Sequence, residues 1–218
     1  MRLSEKSVEL NFCAEATAAS GLAAHPFWCG LTQQQEKRLG FDVAGMRGGR
    51  LLIYQFKASN QFAANGLRRF RAPHHQLVNL RKLATGPDQV FYVFPEIGTS
   101  AELVAAGSIT SKAWLCDVWS PMLKSLGPSH RKGGEHYVDL DPAKLQCTWH
   151  SDVAEVPVVT ALEWFPRIGG ADGKLRAAPP LGTAGRAVGI PLSDGRAAEV
   201  FRQVRELNSR KLLGLLIQ

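Results

Sequence analysis

The sequence predicts an α/β fold in which helices flank a mixed β-sheet. Three observations lead there. Apolar residues recur at helical spacing over residues 4–19 and 73–84, and short strand-like runs ("FDVAGM", "RLLIYQFKAS", "QVFYVF", "KAWLCDVW") alternate with helical stretches. The chain has 218 residues and is 45% hydrophobic, enough for one full core. No apolar run reaches the roughly 18 residues of a membrane span, so no membrane partner is expected.

The elements follow in order. Residues 4–19 read as a helix that Ser4 can cap, with Val8, Phe12 and Ala16 on one stripe. Residues 21–39 are mixed and polar. "FDVAGM" and "RLLIYQFKAS" form a hairpin around "RGG", where glycine accepts the positive φ of a tight turn. Residues 60–72 read as a basic loop. Pro73 suits the first turn of a helix with Leu77, Leu80 and Leu83 inward. "QVFYVF" is a buried strand ended by Pro95. A short helix near 100–106 and a strand at 112–119 follow. Residues 120–134 read as a basic loop, "EHYVDL" and "KLQCTWH" as strands, and 156–165 as a short helix or strand. A long Gly/Pro/Ala-rich loop at 167–193 and an amphipathic helix at 194–218 complete the reading. Two segments are drawn: a core over 1–125, and 126–218 as its extension, a region for recognition or oligomerisation.

Charge is unevenly placed. The net charge is +7, and residues 43–87 hold eight basic residues and no acidic one. Outside that window 18 basic residues face 19 acidic ones, so the positive excess lies inside it. A localised positive field suits a polyphosphate partner. Within and beside it, Arg47, Arg68, Arg69, Arg71 and His74 are the candidate nucleic-acid contacts, with Phe62 and Phe70 interleaved. The start "MRLSEKSVELNF" lacks an apolar h-region, and the four cysteines are widely spaced with no CxxC. A cytoplasmic protein with free thiols is expected.

The hairpin carries the chemistry. Gln55 and Lys57 are two apart and share a strand face, while Phe56 points the other way. Asp42, on the neighbouring strand, can bring a carboxylate beside them. Hard oxygen donors next to one ammonium suit Mg²⁺-assisted attack on a phosphodiester. "GFD", twelve residues, then "QFK", after a Glu-bearing helix, resembles the PD-(D/E)xK nuclease superfamily in its QxK, Mrr-like form, over roughly residues 4–95. That resemblance implies a restriction-endonuclease-like sheet and a Mg²⁺-dependent endonuclease of double-stranded DNA, with Mn²⁺ able to substitute. It implies a metal held by Asp42, Gln55, the Phe56 carbonyl and Glu9, with Glu5 as the alternative helix carboxylate, and Lys57 as the catalytic lysine. Restriction, anti-phage defence or a mobile element is the setting it suggests, and cleavage of both strands favours a homodimer or partner subunit. Gln55 stands where the superfamily usually has an acid. The alternatives are therefore an inactive nucleic-acid-binding module of the same fold, or a subunit of a nucleoprotein assembly.

Overall fold

The computed structural model describes residues 1–19, 27–47, 50–130, 134–165, 190–191 and 195. The loop expected at 167–193, apart from 190–191, and the helix expected at 194–218, apart from 195, lie outside them.

Helix α1 (Glu5–Ala19) begins where Ser4 Oγ accepts the Ser7 amide at 3.0 Å, and it buries Val8, Phe12 and Ala16. Two elements follow in the stretch read as mixed. They are a strand, β1 (Phe27–Gly30), and a two-turn helix, α2 (Gln33–Leu39). Gly40 ends α2 at φ +83°, with its N–H on the Glu36 carbonyl at 2.7 Å. A Cβ at Gly40 would also lie 2.9 Å from the Asn79 Cβ, so only glycine fits this corner without strain. The corner delivers the chain into the predicted hairpin, β2 (Val43–Arg47) and β3 (Arg50–Phe56), which pair antiparallel.

The basic loop expected at 60–72 is instead strand. It holds β4 (Gln61–Phe62) and β5 (Arg68–Pro73), which pair with each other. Alternation along β5 is present but disguised: Phe70 and Ala72 are buried, and Arg68 is buried with them. A charged residue on the inner face hid the strand pattern. Helix α3 (His74–Leu83) starts right after Pro73 and buries Leu77 and Leu80. Next come β6 (Val90–Pro95), α4 (Ser100–Ala106), β7 (Ala113–Asp117) and a one-turn helix α5 (Pro121–Lys124) within the expected basic loop. The chain continues with β8 (Glu135–Asp141), β9 (Gln146–Trp149), β10 (Ala154–Thr160), α6 (Ala161–Trp164) and β11 (Ile190–Pro191). Residues 156–165 are thus strand and then helix.

The described strands form one mixed sheet in the order β1-β2-β3-β6-β7-β10-β9-β8-β5-β4, with β11 added to β3. Only β3 and β6 pair parallel among them. Strand β10 joins the two halves, pairing with β7 through Val158–Thr160 and with β9 through Ala154–Pro157. Segments from both sides of the 125/126 boundary therefore share one sheet.

Alternation along β3 feeds two cores. Leu51 and Ile53 enter one, with Leu77, Leu80, Tyr92 and Trp149. Leu52, Tyr54 and Phe56 enter the other, with Phe12 of α1 and Trp164 of α6. Phe56 meets Phe12 edge-on with ring centroids 5.0 Å apart. Burying residues of this size contributes about 2–3 kcal/mol each, so both faces of the strand hold its end in place. No helix among the described residues is long and apolar enough to cross a membrane.

Candidate active site

The hairpin register puts Val43 opposite Tyr54, and so Asp42 opposite Gln55. Oδ2 of Asp42 accepts Nε2 of Gln55 at 2.7 Å and the Phe56 N–H at 2.6 Å. Both donors use the same oxygen, so neither occupies Oδ1. Nε2 of Gln55 also donates to the Phe56 carbonyl at 3.2 Å. The Gln55 amide is thereby oriented, and its Oε1 is buried without a hydrogen-bond partner among the described residues. Such an orphaned acceptor costs on the order of 1–3 kcal/mol unless a ligand satisfies it.

Asp42 and Gln55 line a cavity of about 430 Å³. Its walls come from Glu5 of α1, from Gln33, Glu36 and Lys37 of α2, and from His75, Gln76 and Asn79 of α3, with Gly40 at the corner. Gln76 Oε1 is a second buried acceptor without a partner among the described residues. Lys57 follows on the same face as Gln55. It is 8% exposed, and its Nζ lies 3.7 Å from Glu5 Oε1.

Burial pushes the Asp42 carboxyl up to about 7, and Glu5 adds to the rise, while the Phe56 N–H, Lys57 and Gln55 pull it down. The site therefore has a carboxyl that is poorly compensated by the protein alone.

The two helix glutamates exchange the places expected for them. Glu9, the expected ligand, is 6% exposed and bound at both oxygens by Lys6, at 2.8 and 2.6 Å. It does not line the cavity. Glu5, the alternative, does line it and meets Lys57. Position along α1 explains the exchange: Glu9 packs inward beside Val8 and Phe12, whereas Glu5 opens the first turn, next to the strand end.

The expected nucleic-acid contacts divide. Arg68 is 7% exposed, with its guanidinium on the Ser59 carbonyl at 2.7 Å, on Glu102 at 3.0 and 3.2 Å and over the Phe62 ring. It is a structural ion pair and not a surface contact. Arg69 makes a two-point pair with Asp139 at 2.6 and 2.7 Å, and Phe70 is in the core. Arg71 is 55% exposed and only loosely paired, 3.9 Å from Glu135. His74 is tied to buried His136 at 3.0 Å. The Arg47 side chain lies outside the described residues.

The sequence reading missed α2 and with it Gln33, Glu36 and Lys37. The signal was present: Thr32 and Gln35 make a T-x-x-Q start, with the Thr32 N–H on Gln35 Oε1 at 2.8 Å, and Gly40 marks the stop.

Asp42, Glu5 and the Gln55 amide oxygen make an oxygen-only donor set of the type that hard divalent cations take. Among the described residues no group of three or more His, Cys, Asp or Glu is placed to hold a metal, which follows from Gln55 standing where a third acid could be. No family model matches the chain, and neither a curated protein nor a solved structure matches it.

Proposed function

We propose that this protein is a Mg²⁺-dependent nuclease with a restriction-endonuclease-like fold, acting on double-stranded DNA. The observation that carries the reading is the buried, partnerless Gln55 Oε1 beside Asp42 in a cavity that Glu5 lines and whose Lys57 neighbour reaches Glu5. Asp42, Gln55 and Glu5 would hold the ion, and the orphaned amide oxygen and the raised Asp42 carboxyl both favour its entry. A bound divalent ion would supply charge neutralisation at the phosphate and a more acidic water. Lys57 offers its ammonium to the charge that develops on the phosphate oxygens, from a site dry enough to give that charge weight. Glu5, 3.7 Å away, keeps the ammonium at the cavity edge. Restriction, defence against phage or mobile-element movement is the setting by analogy.

Two measurements test this. Mg²⁺ or Mn²⁺ should cleave-activate the wild-type protein on plasmid DNA, with Lys57→Ala abolishing cleavage but retaining DNA binding. Calorimetric titration of metal into wild type and Asp42→Asn should show binding only in the former. Cleavage that survives Lys57→Ala would sink the assignment.

A second reading is favoured by one observation: Gln55 contributes a dipole where an acid would contribute a charge. A binding-only module of the same fold would bind DNA and never cut it with either ion.

A further inference from the structure

A second cavity adjoins the first. Its volume is about 360 Å³, and it is walled by Arg2, Leu3, Ser4, Glu5 and Ala58. Glu5 is the wall that the two cavities share. The end of β3 passes between them in order: Gln55 in the first, Lys57 at the Glu5 boundary, Ala58 in the second. Three residues of extended chain span about 10 Å, the reach of a neighbouring phosphate on one strand.

We propose that the second cavity binds a backbone phosphate adjacent to the one cleaved, with Arg2 as its cation; this rests on the nuclease reading above. Arg2 is exposed, and no carboxylate pairs with it among the described residues. Its backbone is nevertheless fixed. Arg2 bridges Thr99, and the Leu3 N–H donates to the Gly98 carbonyl at 2.8 Å. A guanidinium on an anchored backbone presents a planar fork to phosphate at reduced entropic cost. Leu3 and Ala58 give the same cavity an apolar side that suits a deoxyribose. The acidic edge at Glu5 is offset by Lys57, so a strand could cross from one cavity to the other with its charge met on each side.

The test measures binding of a fluorescein-labelled DNA duplex by anisotropy, in EDTA so that nothing is cut, over about 50 to 300 mM salt. Arg2→Gln should weaken binding several-fold at the low-salt end and reduce the slope of log K against log salt by about 0.9, the loss of one phosphate contact. Lys144→Gln, at a 68% exposed lysine on the β8–β9 connection, is the charge-matched control and should keep the wild-type slope. If wild type binds but Arg2→Gln matches it, the subsite is wrong and the nuclease reading is untouched. If both variants fall equally, the effect is general charge and the subsite is again wrong. If wild type binds no DNA over this range, both readings fall together.

Discussion

Asp42 and Gln55 are cross-strand neighbours, and the Gln55 amide donates to Asp42 Oδ2 at 2.7 Å. This one bond sets the chemistry of the site. It spends the amide's N–H on the carboxylate and turns its oxygen away without a partner. A carboxylate at position 55 would reverse the balance, placing two acids where burial already raises one.

Gln55→Glu should therefore be less stable than wild type in EDTA at pH 8, by about 3 kcal/mol, because a hydrogen bond to a buried acid is replaced by like-charge repulsion. Millimolar Mg²⁺ should restore most of the loss. Chemical denaturation with and without Mg²⁺ gives both numbers. Equal destabilisation in the two conditions would mean that no cation sits between these side chains.

Glu5 and Glu9 should separate cleanly. Glu5→Gln removes the carboxylate that lines the cavity and meets Lys57, and should lower cleavage by about 10²-fold or more. Glu9→Gln breaks the Lys6 pair, in which Lys6 is half exposed, and should leave cleavage within a few-fold of wild type. Rates on one plasmid substrate compare them. The opposite order would return the metal to Glu9.

The outcome at Glu5 bears on how far the sequence could be read. Helix spacing placed α1, and strand alternation placed Gln55, Lys57 and Phe56 on their faces, because both are local periodicities. The choice between Glu5 and Glu9 was not local. One turn apart on the same face, they differ only in which reaches the end of β3, a tertiary fact. Charge was misread for a similar reason. The acid-free window at 43–87 looked like a continuous positive surface, yet Glu102 and Asp139 arrive from distant segments and neutralise Arg68 and Arg69. Segregation along the chain is not segregation in space.

Arg68→Ala accordingly should act on stability and not on DNA affinity. It leaves the Ser59 carbonyl without its guanidinium partner, and a void near Gly98, where an added Cβ would lie 2.4 Å from the arginine. A loss of about 2 kcal/mol in urea unfolding is expected. Arg71→Ala, at a 55% exposed side chain, should leave stability within about 0.5 kcal/mol and weaken DNA binding. If Arg68→Ala folds with wild-type stability and loses DNA binding, the assignment of these two arginines is reversed.

Acid should find the protein's weak point at His136. It is fully buried, its Nε2 hydrogen-bonds His74 Nδ1 at 3.0 Å, and its Nδ1 hydrogen-bonds the Ser151 hydroxyl. Burial pushes its pKa down to about 4, with His74 adding to the fall and Asp152 opposing it. The neutral ring suits the folded state, so its contribution is intact above the unfolded value near 6.5. Below that the unfolded chain takes up a proton that the folded one refuses, and stability falls as pH drops from 6.5 toward 4. Between pH 7.5 and 5 this one group should remove about 2 kcal/mol. His136→Asn cannot titrate. It should be less stable than wild type at pH 7.5, because both hydrogen bonds are disturbed, and the gap should narrow by about the same 2 kcal/mol at pH 5. Urea unfolding of the two proteins at both pH values measures the gap. A gap that does not change with pH would mean that His136 is protonated as easily in the folded chain as in the unfolded one.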